Sequence, residues 1–202
     1  MNPKYYTLDN NYEGVSEVGD WILNFPMWIL ENAFNLKSPC RIGDQWNSQV
    51  FAFAKRAEGD CNTHPKPDFP IVLGEWQAAS SRLRRILERI CPGAFEFLPF
   101  RTRTSTGGDI TTDFSLMHYL VWLDAIDKKK SVLLPHETRF VRPKAIGSDY
   151  LLDKVILKSR KLTSPVCRIL GWSPYHLYRE DVVETLLGGG FTGLKFEEVE
   201  TA

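Results

Sequence analysis

Three consecutive glycines, Gly188, Gly189 and Gly190, stand where a helical pattern stops and a strand pattern begins. No other stretch constrains the architecture as tightly. Tyr175 to Arg179 reads as a strand, Glu180 to Leu187 as a helix and Phe191 to Val199 as a closing strand. Glycine reaches the left-handed backbone that ends a helix, so the run lets the chain reverse and lay Leu194, Phe196 and Val199 back on a core. A phosphate-cradling loop needs the opposite order, glycines leading from a strand into a helix N-terminus, so capping is the better account here. Thr106 to Asp109 (TGGD) lacks a following Lys-Ser/Thr pair and reads as a turn on the same grounds.

The rest of the chain supplies partners for that tail. Lys4 to Leu8 is a short aromatic strand, and Gln49 to Ala54 (QVFAFA) alternates as another. Between them, Trp21, Ile22, Phe25, Trp28, Ile29 and Phe34 recur at mixed spacing around Pro26, which argues for a broken helix or an irregular packed loop. Asp60 to Pro70, with Pro65, Pro67 and Pro70, is the strongest loop signal and marks a boundary between an N-terminal region, 1–67, and an α+β domain, 68–202. Ala79, Leu83, Ile86, Leu87 and Ile90 follow a helical period over Gln77 to Cys91, stopped by Pro92 and Gly93.

Ala94 to Thr104 then alternates as a strand, and the chain returns from Ile110 through Phe114, Leu116 and Tyr119 as a hairpin, with Pro99 suggesting an edge or bulge. Leu120 to Ala125 is nearly continuous apolar and predicts a fully buried strand, while Val155 to Leu157 and Pro165 to Leu170 are two more strand segments. The sum is an α+β fold: an antiparallel β-sheet with helices packed on one side.

With 202 residues, 43% of them hydrophobic, the chain can bury roughly 70% of its unfolded surface and needs no cross-links. Cys40, Cys61, Cys91 and Cys167 lack framework spacing and are expected as reduced thiols. A formal charge of zero gives no global field to recruit nucleic acid or an anionic membrane. The N-terminus has no signal-peptide pattern, and every apolar run falls short of the ~20 residues of a spanning helix, so the expected location is cytoplasmic.

Few side chains suggest chemistry. Cys61 and His64 have the C-x-x-H spacing of half a zinc site, which Cys40 or Cys91 could complete, but a second closely spaced pair is missing and neither metal nor cofactor is expected. His118 with Asp124, or Cys167 with His176, could serve a hydrolase or transferase only if the fold brought them within hydrogen-bond reach. Arg82, Arg85 and Arg89 lie opposite the apolar stripe of their helix, as on any amphipathic surface helix. In the N-terminal region, Asp9, Glu13, Glu17 and Asp20 interleave with Tyr12, Trp21, Phe25 and Trp28. Those rings either fill a core or anchor a partner, because aromatics bury large area at small entropic cost.

Three pieces of the chain resemble the bacterial polymorphic-toxin immunity proteins of family eleven, formerly a domain of unknown function. The first is Asp68 to Pro70 (DFP) leading to the helix SSRLRRILERI and the strand FEFLPF; the second is HYLVWLDAID, His118 to Asp127. The third is the tail from Pro165 to Val199, ending in Thr192-Gly193-Leu194-Lys195-Phe196. The resemblance runs from Asp68 to the end, with only the opening strand KYYTL matched before it.

It implies a non-enzymatic antidote that binds one cognate toxin, encoded by a neighbouring gene, inside the producing bacterium and occludes its active site. No catalytic residue is carried over, and neither nucleic acid nor membrane is an implied partner. On that reading Asp9, Tyr12, Glu13, Glu17, Asp20, Trp21 and Trp28 are the candidate toxin-binding residues, their carboxylates attracting a basic toxin. The arginine face of the helix is the alternative surface.

Overall fold

In the computed structural model the described residues are 3–8, 21–26, 38–46, 50–56, 66–72, 76–104, 108–110, 112–133, 152–171 and 176–202. Strands β1 (Tyr5–Leu8), β2 (Trp21–Asn24), β3 (Phe51–Arg56), β4 (Ile71–Val72) and β5 (Ala78–Ala79) precede helix α1 (Ser81–Ile90). Next come β6 (Phe95–Pro99), β7 (Arg101–Thr104), β8 (Asp109–Ile110), β9 (Ser115–Tyr119) and β10 (Trp122–Leu123). The chain closes with β11 (Val132–Leu133), β12 (Leu152–Lys154), β13 (Val166–Ile169), β14 (His176–Arg179), α2 (Glu180–Gly188) and β15 (Phe196–Glu198).

These strands form two five-stranded sheets, β10-β13-β14-β1-β15 and β4-β2-β3-β7-β8, with a three-stranded sheet β5-β9-β6 and a pair β11-β12. The α+β class holds, but the sheets are mixed where a purely antiparallel one was expected. β10 with β13, β2 with β4 and β3 with β7 run parallel. Parallel neighbours need a long connection, and the chain between β3 and β7 provides one that includes α1 and β6. Strands from before and after residue 68 share each of the five-stranded sheets.

Local chemistry explains where elements begin and end. The predicted helix from Gln77 starts only at Ser81, because Ser80 caps it, its Oγ accepting from the Leu83 amide at 3.2 Å, while Ala78 and Ala79 pair with β9 instead. The predicted strand Ala94 to Thr104 is two strands in different sheets. β6 pairs with β9 from Phe95↔Tyr119 to Pro99↔Ser115, and β7 pairs with β3 and β8. Pro99 has no amide to continue a ladder, and Phe100 turns inward to meet Phe25 edge-on at 5.0 Å, making the corner between sheets. Leu120 to Ala125, expected to be fully buried, contributes only the two-residue edge strand β10; Val121, Trp122 and Leu123 are half-buried and Asp124 is exposed.

The tail follows its predicted order with a shorter last strand, Phe196–Glu198, because Phe191 to Lys195 loop past Phe69. Gly190 and Gly193 take positive φ, 61° and 81°. A Cβ on Gly193 would fall inside contact distance of the Phe69 carbonyl oxygen, so that position requires glycine.

The first five-stranded sheet is covered on both faces. Tyr6, Leu8, Val166 and Tyr178 share one cluster with Leu83 and Leu87 of α1 and Val182, Val183 and Leu186 of α2. Tyr5, Cys167, Ile169 and Leu177 share another with Ala125, Ile126, Leu157 and Leu162. The second sheet sends Leu23, Ala52, Ala54, Val72 and Ile110 into a third cluster with Phe25, Trp76, Leu98 and Phe100. No helix among the described residues is long and apolar enough to cross a membrane.

Candidate functional site

Of the candidate toxin-binding residues, Asp9, Tyr12, Glu13, Glu17, Asp20 and Trp28 lie outside the described residues. Trp21 opens β2, its backbone paired with Arg56 of β3. Cys61 and His64 also lie outside them; Cys40 is exposed and Cys91 buried. Among the described residues no cluster of His, Cys, Asp and Glu is arranged to hold a metal ion.

The side chains considered for an enzyme do not converge. His118 sits on β9 opposite Glu96, and its Nε2 donates to the Cys40 carbonyl oxygen at 2.9 Å, which makes Nε2 the protonated nitrogen. Its neighbour Tyr119 points from the other face of the strand, where its ring stacks on His176 at 4.0 Å between centroids. The two histidines are therefore on opposite sides of β9. Cys167 pairs with Leu177 and joins its cluster, while His176, one residue earlier, faces the other way. Burial pushes the Cys167 thiol up to about 12, the reverse of what a nucleophile needs. Asp124 is exposed.

His176 belongs instead to a buried polar junction between β5, β9 and β14. Tyr119 donates to the Gln77 side-chain oxygen and accepts from the Tyr178 hydroxyl. Burial raises Tyr119 well above the ordinary tyrosine range and Tyr178 with it, and holds His176 well below 6.5 with help from the nearby Arg168 charge. His118 is lowered by burial too, against the opposing pull of the Cys40 carbonyl and Glu96. These groups stay neutral, and the bonds from Tyr119 to Gln77 and Tyr178 tie β9 to β14 and to the residue preceding β5.

A second hub explains the DFP segment. The Asp68 carboxylate accepts from Ser80 Oγ at 2.8 Å, Arg82 at 3.0 Å and the Thr192 amide at 3.2 Å. Arg82 continues to the Gly189 carbonyl at 2.6 Å and lies 4.3 Å over the Phe191 ring. The helix start, the proline-bounded segment and the glycine tail thus meet on one carboxylate. Arg82 is drawn out of the basic stripe by these contacts, which leaves Arg85 and Arg89 exposed and without an ion-pair partner among the described residues.

The feature that sequence reasoning missed is the outer face of the second five-stranded sheet. With Ala52 and Ala54 turned inward, Phe51 and Phe53 turn out, Phe53 being 36% exposed. Their rings meet edge to face at 5.3 Å. Phe51 pairs with Arg101 and Phe53 with Arg103 across the parallel ladder, and the Arg103 guanidinium lies 4.4 Å over the Phe51 ring. Asp109 on β8 accepts from Arg103 at 3.1 Å and also holds Arg101. Asn24 extends the Phe53–Arg103 row, and half-buried Ile22 and Ile71 form the next row toward β4. The available signal was RTRT beside FAFA, two strands whose alternate residues are cationic and aromatic.

The family described as Immunity protein family (Imm11) matches residues 4–164. That span takes in the N-terminal third, where sequence patterns had pointed only to the opening strand, and stops short of the tail. No curated protein matches the chain.

Proposed function

This chain belongs to the Imm11 immunity protein family, and from that premise we propose that it is an antitoxin that binds a cognate bacterial toxin and neutralises it by covering the toxin's active site. The observation that carries the reading is the family match from residue 4 to residue 164, most of the chain. Occlusion requires a rigid surface with a few buried anchors and complementary charge, and no bond made or broken. The separation of His118, His176 and Cys167 in the fold favours this over a hydrolase or transferase built on those residues.

We place the toxin in a polymorphic system of bacterial competition, encoded by the neighbouring gene, with the antitoxin acting in the cytoplasm of the producing cell. Asp9, Tyr12, Glu13, Glu17, Asp20, Trp21 and Trp28 are one proposed contact, through carboxylates that would attract a basic toxin. Co-expression tests the reading. The toxin domain encoded beside this gene should kill cells that lack the chain, spare cells that make it, and copurify with it. Killing that the chain does not relieve, with no copurification, would reject the antitoxin assignment.

A further inference from the structure

Resting on that reading, we infer that the open face of the second five-stranded sheet, centred on Phe51, Phe53, Arg101 and Arg103, is a docking surface for the toxin, which meets it with an apolar patch bordered by carboxylates. Burying a phenylalanine gains more than burying an alanine, yet β3 places its alanines inside and its phenylalanines outside. A set of aromatic and arginine side chains, with Phe53 and Arg101 exposed and Phe51 and Arg103 half-buried, has the composition of binding anchors.

The face is also held ready. The two rings brace each other, Arg103 lies over one of them, and Asp109 tethers both guanidinium groups. Side chains fixed in advance lose little freedom on binding, which is what lets a small patch bind tightly.

Charge identifies the occupant. Two guanidinium groups share one carboxylate, each committing one nitrogen to Asp109, so these three side chains together keep a net positive charge. A carboxylate from a partner would complement that charge by charge-assisted hydrogen bonds. Nucleic acid is the poorer match: Asp109 would repel phosphates, and a chain of zero formal charge gives little counterion release. The α1 stripe is the poorer surface, because Arg85 and Arg89 carry charge with no exposed aromatic described beside them. The proposed acidic contact ends at Asp20, immediately before β2 of this same sheet, so the two contacts adjoin in the chain.

The probe is the purified, catalytically inactivated toxin domain encoded beside this gene, titrated against the full chain in a calorimeter at two salt concentrations. Phe53→Ala and Arg103→Ala should each weaken binding roughly 30-fold, and Arg103→Ala should flatten its salt dependence. Arg101→Ala provides a second cationic variant, and Arg85→Ala with Arg89→Ala the control, expected to bind as the parent does. Unchanged affinity in the sheet variants, with native circular dichroism and melting temperature, would overturn this inference and leave the antitoxin reading standing. Loss of affinity in the Arg85/Arg89 variant alone would move the surface to α1. A parent chain that ignores the toxin domain and instead binds a single-stranded oligonucleotide through Phe53 would sink both.

Discussion

The two five-stranded sheets have the same number of strands and opposite fates. In β10-β13-β14-β1-β15 successive residues of a strand feed two different clusters, as Tyr178 and Val166 face the helices while Leu177 and Cys167 face Leu157 and Leu162. In β4-β2-β3-β7-β8 one set of residues is buried and the alternate set, Phe51, Phe53, Arg101 and Arg103, is not. The first sheet is finished by the chain itself. The second is covered by a core cluster on one side, while on the other Phe53, Arg101 and Asn24 are exposed among the described residues. If the second sheet is the docking surface, its outer face can be altered at little cost to stability while the first sheet cannot, and this gives the comparison measurable consequences.

The largest effect belongs to the enclosed sheet. Leu177 is completely buried in the middle strand of that sheet, so Leu177→Ala removes buried methyl groups and leaves a cavity between β14 and the Leu157 layer. The expected loss is about 2–5 kcal/mol, read as a fall of roughly 5–15 °C in melting temperature. A loss below about 1 kcal/mol would mean that the second layer on this sheet is not a true core. The binding of the toxin domain by whatever fraction remains folded should be unchanged.

How much of this was legible from residues depends on how local the cause is. β1, β13, β14 and α2 were readable because a short apolar alternation or a helical period bounded by glycine or proline determines each. The Asp68 hub was visible only as the motif DFP, since its partners Ser80, Arg82 and Thr192 come from distant parts of the chain. Parallel pairing of β3 with β7 depends on long-range packing that no local pattern reports. The orientation of FAFA was unreadable for a sharper reason. Phenylalanine and alanine are both apolar, so alternation establishes a strand without saying which set faces in, and a shift by one residue exchanges the faces. The acidic aromatic stretch from Asp9 to Asp20 falls outside the described residues, and its role is a matter for the binding experiment.

An intermediate effect comes from titration. His176 on β14 and His118 on β9 are buried and neutral, their affinities for protons lowered chiefly by desolvation. In the unfolded chain each takes up a proton near its ordinary value of 6.5, whereas the folded protein does not. Below that pH the unfolded state binds more protons, so stability falls as pH drops, by up to about 1.4 kcal/mol per pH unit for each group. Above it neither form is charged and the term vanishes. His176→Phe keeps an aromatic ring against Tyr119 and removes one titrating nitrogen, so its stability between about pH 6.5 and pH 5 should slope less steeply than the parent's in urea unfolding. Equal slopes would place His176 outside the enclosed interior that distinguishes this sheet.

The smallest effect is the one that most sharply tests the contrast. Phe53 has the same side chain as Phe95 or Phe100, which are buried, but sits on the open face with its neighbours on β2 and β7 being Asn24 and Arg103. Phe53→Ala gives up an edge-to-face contact with Phe51 and some strand propensity, and opens no cavity, so unfolding free energy should change by less than about 1 kcal/mol. The measurement is urea unfolding of the isolated chain, with the denaturant slope checked for constancy. A cost of several kcal/mol would show that another part of this chain covers the ring, and the second sheet would then be as self-contained as the first. A small cost leaves an aromatic side chain that the fold does not need, on a surface whose arginines are already oriented around a carboxylate.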